Sequence, residues 1–230
     1  MLTLAEELLL LALDDESGAV EPAVSGSLQY GLAGALLMEL VLAGRLGMQD
    51  GRLVPLDETP TGDGLLDEVA GMIRSGEPRE PGFWVERLGR RDPKDALLPR
   101  LVEKGILRRD RRRVLWLIPS VRYPTLDGRP ERDVRERVRE VVFGGAEPLP
   151  RDAALLGLIK ACDLVDVVFR AGERRRAHER LDSLTRGELI GRAVSGAVRQ
   201  AREDDFFAAQ AAAAGAVVSA TSSCSSGGSC

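Results

Sequence analysis

Apolar residues recur at helical spacing from the start of the chain: Leu4, Leu8 and Leu11 share one face over residues 2–13, and Thr3 with Glu6 forms a capping-box pattern. A helix is predicted there, ended by DDESGAVEPAVSGS. From about Leu28 to Ala43 the pattern turns apolar almost all round, which predicts a buried central helix stopped at Gly44. The Asp-Gly pair in LGMQDGRLVPL stands between apolar runs and predicts a tight hairpin.

Beyond TPTGDG, LLDEVAGMIRS and FWVERLG predict two short helices, the second ended by Gly89. Asp92-Pro93 predicts a helix start, with Asp as N-cap and Pro at the first helical position, and that helix runs to about Lys104. ILRRDRRRVLWLIP predicts a second hairpin with charged residues at its tip and VLWLI as the return strand. The remainder is predicted helical: DVRERVREVVF, AALLGLIKACDLVDVVF, and a long segment opened by a capping box from Thr185 to Glu188 and reaching about Ala214. The pattern is that of a mainly α protein with small β-hairpins. A single domain is expected over residues 1–208, and the small-residue stretch 209–230, ending in SATSSCSSGGSC, is expected to be disordered.

Composition narrows the function classes. The one histidine, His178, lies in the arginine run ERRRAHER, where a solvated helix-face position is expected, and the three cysteines are too few for a four-ligand zinc site. Cys162, in an apolar stretch, is expected to be a buried thiol. Acidic pairs such as Glu6-Glu7 and Asp204-Asp205 have no histidine, serine elbow or glycine loop beside them, and there is no P-loop or dinucleotide fingerprint. An enzyme, a metal or a cofactor is not expected. The apolar start carries Glu6 and Glu7 where a signal peptide would carry positive charge, and Glu39 interrupts the longest apolar run short of the roughly 20 residues of a membrane span. A soluble, cytoplasmic protein is expected. Three lysines against 29 arginines, with abundant Ala, Gly, Leu and Val, suggest a GC-rich, bacterial genome.

The net charge of −4 is unevenly spread: residues 1–70 carry 13 acidic and 2 basic groups, whereas residues 86–140 carry 10 acidic and 17 basic. A basic middle within an acidic chain suggests one anion-attracting surface, or simply a solvated arginine-rich face. Two segments in it carry candidate chemistry. In GRRDPK a helix N-terminus, with unpaired N–H groups and the positive dipole end, is joined by Arg90, Arg91 and Lys94, which suits phosphate. An ordinary capped surface helix fits the same residues. In the second hairpin Arg108, Arg109, Arg111, Arg112 and Arg113 precede Val114, Leu115, Trp116 and Leu117. Cations beside an apolar tip suit an anionic membrane, where each basic group contributes about 1 kcal/mol. They also suit a phosphate backbone with Trp116 stacking on a base, and Leu115 and Leu117 could equally pack on the core. The helix-then-hairpin order at 28–55 and 92–119 is that of a winged helix, although the acidic total argues against nucleic acid.

Five strings in order, LTLAEELLLLALDD, GLAGALLMELVLAGRL, PTGDGLLDE, LVEKGIL and RDAALLGLIKACDLVDVVF, resemble the Golgi phosphoprotein family. Its members are peripheral membrane proteins that bind phosphatidylinositol 4-phosphate and, in eukaryotes, help retain glycosyltransferases in the Golgi. The resemblance implies a four-helix core surrounded by amphipathic helices, and a hairpin, at about Asp110–Val121, that aids membrane insertion and self-association into a homo-oligomer. Val114 and Leu115 fall where the family has its inserting apolar pair. The family's two phosphate-binding basic residues, counted back from LVEKG, fall on Arg91 and Lys94. Its pocket tryptophan and the arginine of GLRG correspond to Val24 and Ala33 here. Because alanine offers no bidentate phosphate contact, the implied ligand broadens from that one headgroup to anionic membrane lipid. A winged-helix nucleic-acid binder and a protein-interaction scaffold remain the alternatives.

Overall fold

The computed structural model describes residues 1–114, 118–145, 148–184 and 194–201. Helix α1 (Leu4–Ala12) is capped as its sequence predicts: Thr3 Oγ1 accepts the Glu6 N–H at 3.3 Å, and Glu6 Oε2 accepts the Thr3 N–H at 2.8 Å. It is buried along its whole length, both glutamates included.

Helix α2 (Leu28–Leu42) is the central element. Apolar on all sides, it packs on α1, on α4 (Pro81–Gly89) and on α7 (Pro150–Ala161). Glycines let its neighbours approach: a Cβ at Gly31 would overlap the Cys162 sulfur, and one at Gly34 would press on Val198, Leu158 and Val194. Helical residues 194–201 are thereby seated against α2 beside α7, so that the central helix is enclosed by helices as the resemblance implied.

Amphipathic helices surround that core, each burying one stripe. They are α3 (Gly64–Arg74) with Leu66, Val69 and Ile73, α5 (Lys94–Glu103) with Leu97, Leu98 and Leu101, α6 (Arg129–Phe143) with Val134, Val138, Val141 and Val142, and α9 (Arg174–Leu184) with Ala177 and Leu181. Strands β1 (Leu46–Gln49) and β2 (Arg52–Pro55) form the first hairpin in the register Met48↔Leu53. Asp50 and Gly51 both have positive φ, the geometry for which Asp-Gly is favoured in two-residue turns.

Three local expectations are corrected. The second hairpin pairs β3 (Asp110–Val114) with β4 (Ile118–Arg122), so Arg111, Arg112 and Arg113 lie in the outgoing strand rather than at the tip, and the return strand starts at Ile118 rather than Val114. Apolar alternation could not fix this register, because the strand itself is a run of arginines. The segment expected as one helix from Ala153 to Phe169 breaks at Asp163, whose φ is +57°, leaving α7 and the four-residue α8 (Val165–Val168). At α5, Pro93 occupies the N-cap position and Asp92 lies one residue ahead, with φ +43°. The capping box at Thr185–Glu188 and the stretch 209–230 lie outside the described residues.

Candidate functional site

Helix α4 ends where Gly89 meets α2: a Cβ there would come within 2.5 Å of the Tyr30 ring. The chain therefore turns directly over the first residues of α2, and that turn carries Arg90, Arg91 and Lys94. Asp92, held in the left-handed region, turns its carboxylate toward the start of α5 and accepts the Lys94 N–H on Oδ1 at 3.3 Å. Its other oxygen takes Lys94 Nζ at 2.9 Å. The negative charge that Asp92 would set against an anion is thus partly offset by capping and partly by Lys94 itself.

The three cations reach in different directions. Arg90 pairs with Glu86 one turn back along α4. Arg91 crosses to α3, with Nη1 3.1 Å from Met72 Sδ and 3.9 Å from Glu68. Lys94 stays on its own turn. Each has an acidic neighbour that the sequence analysis did not assign to it. The Arg90 and Arg91 pairs are more than half exposed, and such pairs contribute about 0–1 kcal/mol, so a phosphate could displace these partners at small cost. Val24 and Ala33, the positions where the resemblance expects a tryptophan and an arginine, have no exposed surface. Helix α2 supplies no cation to the turn from Ala33.

The β3–β4 hairpin is fixed at its base. Leu107 bridges Thr125, the Arg108 N–H donates to the Pro124 carbonyl, and the Thr125 N–H donates to the Asp15 carbonyl. The Tyr123 carbonyl passes so close to Gly18 that a Cβ there would overlap it. Register partners run from Asp110↔Arg122 through Arg112↔Ser120 to Val114↔Ile118. Leu115 and Trp116 lie outside the described residues.

Sequence reasoning missed a buried ionic cluster. Lys104 Nζ lies 2.7 Å from both Glu6 oxygens, and Arg100 Nε lies 3.5 Å from Glu6 while its guanidinium also binds Asp63. That contact holds the Asp63 carboxyl below its usual range and raises Arg100. Arg137 pairs with Glu7 at 2.7 Å and Asp152 at 3.1 Å, and Arg151 with Glu39 at 2.6 Å and Glu7 at 3.5 Å. Burial opposes the charge on Arg151, but Glu7 and Glu39 outweigh it and raise its pKa. Glu39 also accepts the Leu4 N–H at 2.5 Å. Four basic side chains of the middle and late chain are therefore spent on acids of the first third. The sequence signal was present in Glu6 and Glu7, two carboxylates on an otherwise apolar helix, which require internal partners.

Two smaller expectations hold. Cys162 is a buried thiol, and His178 sits exposed on α9, 3.7 Å from Asp166. Among the described residues no cluster of His, Cys, Asp and Glu could hold a metal ion, and no helix is long and apolar enough to cross a membrane.

The chain is 33% identical over 164 residues to vacuolar protein sorting-associated protein 74 of Schizosaccharomyces pombe, which covers 61% of this chain and 48% of that protein. It is 28% identical over 164 residues to the protein of the same name from Eremothecium gossypii, covering 61% of this chain and 49% of the relative. The alignments thus span about half the length of these relatives, which are fungal and lend no support to the bacterial origin suggested by composition. The family profile of Golgi phosphoprotein 3 (GPP34) matches residues 4–201, from the first turn of α1 to the helical segment packed on Gly34. Its match takes in the whole of the helical core, the α4–α5 turn and the β3–β4 hairpin, and the chain belongs to the Golgi phosphoprotein 3 family.

Proposed function

We propose that this chain is a non-enzymatic protein that docks peripherally, from the cytoplasmic side, on anionic membrane lipid. Arg91 and Lys94, assisted by Arg90, bind the lipid phosphate, and the β3–β4 hairpin enters the interface. The observation that carries the reading is the position of the α4–α5 turn. Two basic residues three apart follow Gly89, which packs on Tyr30 in the first turn of α2, near where the family resemblance expects a headgroup pocket; Arg90 is held by an exposed ion pair, and Arg91 by an exposed ion pair and a contact with Met72. Phosphatidylinositol 4-phosphate is one ligand of this class. With alanine at position 33 the site lacks one bidentate donor, so it accepts anionic headgroups more broadly. Neither the family name nor that of the fungal relatives is an enzyme name, in keeping with a binding role. In the proposed docked state Arg111, Arg112, Arg113, Val114, Leu115 and Trp116 contact the bilayer, and the same hairpin can pair two copies.

Vesicle co-sedimentation tests this reading. The chain is expected to bind phosphatidylserine- and phosphatidylinositol 4-phosphate-containing vesicles and not pure phosphatidylcholine, with binding weakened by salt. Arg91→Ala with Lys94→Ala should remove most of it. Absence of binding to any anionic vesicle at low salt refutes the function, and undiminished binding by the double variant refutes the site. A salt-sensitive shift of duplex DNA without vesicle binding would instead favour the nucleic-acid alternative.

A further inference from the structure

Helix α4 presents an outer face that its packing does not explain. Trp84, Val85 and Leu88 turn inward and are buried, which places Phe83, Arg87 and Arg90, at i, i+4 and i+7, together on the opposite side. Phe83 is one of the few large apolar side chains left exposed among the described residues, at 42%. Two guanidinium groups flank its ring, Arg79 at 5.5 Å and Arg87 at 6.0 Å from the centroid. Glu77 and Glu86 neutralise Arg79 and Arg90 through exposed pairs, while Arg87 has no acidic partner among the described residues. In the chain this face is followed directly by the turn that carries Arg91 and Lys94.

An aromatic ring ringed by arginines suits a lipid–water interface: the ring enters the boundary of the acyl chains while the guanidinium groups remain among the phosphates. A free phosphate, or the backbone of a duplex whose bases are already stacked on one another, would use the cations and leave the ring in water. Resting on the membrane reading above, we propose that the outer face of α4 is a second bilayer contact, in which Phe83 inserts into the interface between Arg79 and Arg87 and seats the adjoining Arg91–Lys94 turn on the headgroups.

The test is co-sedimentation of the full chain with vesicles of phosphatidylcholine and phosphatidylserine in a three-to-one ratio. Phe83→Ala should weaken partitioning roughly fivefold, in line with the loss of one partly inserted aromatic side chain, and Phe83→Leu should restore most of it. Arg87→Ala should also weaken binding. Raising the salt should erase the Arg87 deficit but leave that of Phe83, since only the former is electrostatic. Thermal melting of each variant should stay near that of the wild type, because Phe83 is exposed. Wild-type affinity in Phe83→Ala, with Arg91→Ala/Lys94→Ala still defective, overturns this inference and leaves the proposed function standing. Failure of the wild type to bind overturns both. Equal loss in the Leu and Ala variants overturns insertion. A smaller species on size-exclusion chromatography of Phe83→Ala shows that the face joins two copies and overturns the bilayer assignment.

Discussion

Replacing Glu6 by glutamine keeps its shape and removes its charge. The wild-type carboxylate is fully buried and receives Lys104 at 2.7 Å, Arg100 at 3.5 Å and the Thr3 N–H at 2.8 Å. Removing one member of a buried ion pair costs about 3–5 kcal/mol, chiefly because the partner charge is stranded. Here the partners are 35% and 25% exposed and can regain water, and Arg100 keeps Asp63. The glutamine carbonyl can still accept the Thr3 N–H, so the cap survives. These offsets bring the expected loss to about 2–3 kcal/mol, a substantial part of the 5–15 kcal/mol of an ordinary domain. Urea unfolding followed by circular dichroism measures it. Glu77→Gln, at an exposed pair with Arg79, is the control and should change stability by less than about 0.5 kcal/mol. Lys104→Met with Glu6→Gln should cost less than the sum of the two single changes, because neither charge is then stranded. If Glu6→Gln costs no more than Glu77→Gln, or if the double variant is additive, the buried cluster does not hold α5 to α1 as described.

Three further outcomes are expected. Gly31→Ala should destabilise by about 1–3 kcal/mol through overlap with Cys162, and Cys162→Ala should recover much of the loss in the double variant, as thermal melting will show. Asp63 has its pKa lowered by Arg100, so its contribution is present above the ordinary carboxylate range and is lost as pH falls through the lower, folded value. Asp63→Asn should therefore flatten the acid limb of the stability curve below about pH 4 and change it little with pH above that; an unchanged acid limb refutes the contact. Asp92→Asn releases Lys94 from a carboxylate at 2.9 Å and tolerates positive φ, so anionic vesicles should bind several-fold more tightly. Unchanged or weaker binding would remove Lys94 from the lipid site.

Legibility followed the range of the interactions. The capping box at Thr3, the all-apolar α2 and the Asp-Gly turn were readable because each depends on neighbours a few residues away. The β3–β4 register was not, since a strand built on three consecutive arginines, Arg111 to Arg113, offers no alternation by which to place it. The break at Asp163 was hidden because an aspartate in the left-handed region interrupts an otherwise continuous apolar pattern. The α4–α5 turn was found by its local pattern of Gly, Arg and Asp-Pro. Its dependence on Tyr30, Glu68 and Met72 involves side chains up to 60 residues away and had no local signal.

The sequence alone determined that the chain would fold as helices around one apolar helix, carry two hairpins and concentrate positive charge in its middle, because propensity, periodicity and composition are properties of short windows. Only the tertiary structure decided which of those charges face outward. Folding brings Arg100, Lys104, Arg137 and Arg151 onto Glu6, Glu7 and Glu39, since a carboxylate inside an apolar helix bundle must find a cation or remain unpaired at high cost. The segmental charge of +7 is thereby reduced to the cations still at the surface, with Arg87, Arg90, Arg91 and Lys94 gathered along α4 and the turn that follows it.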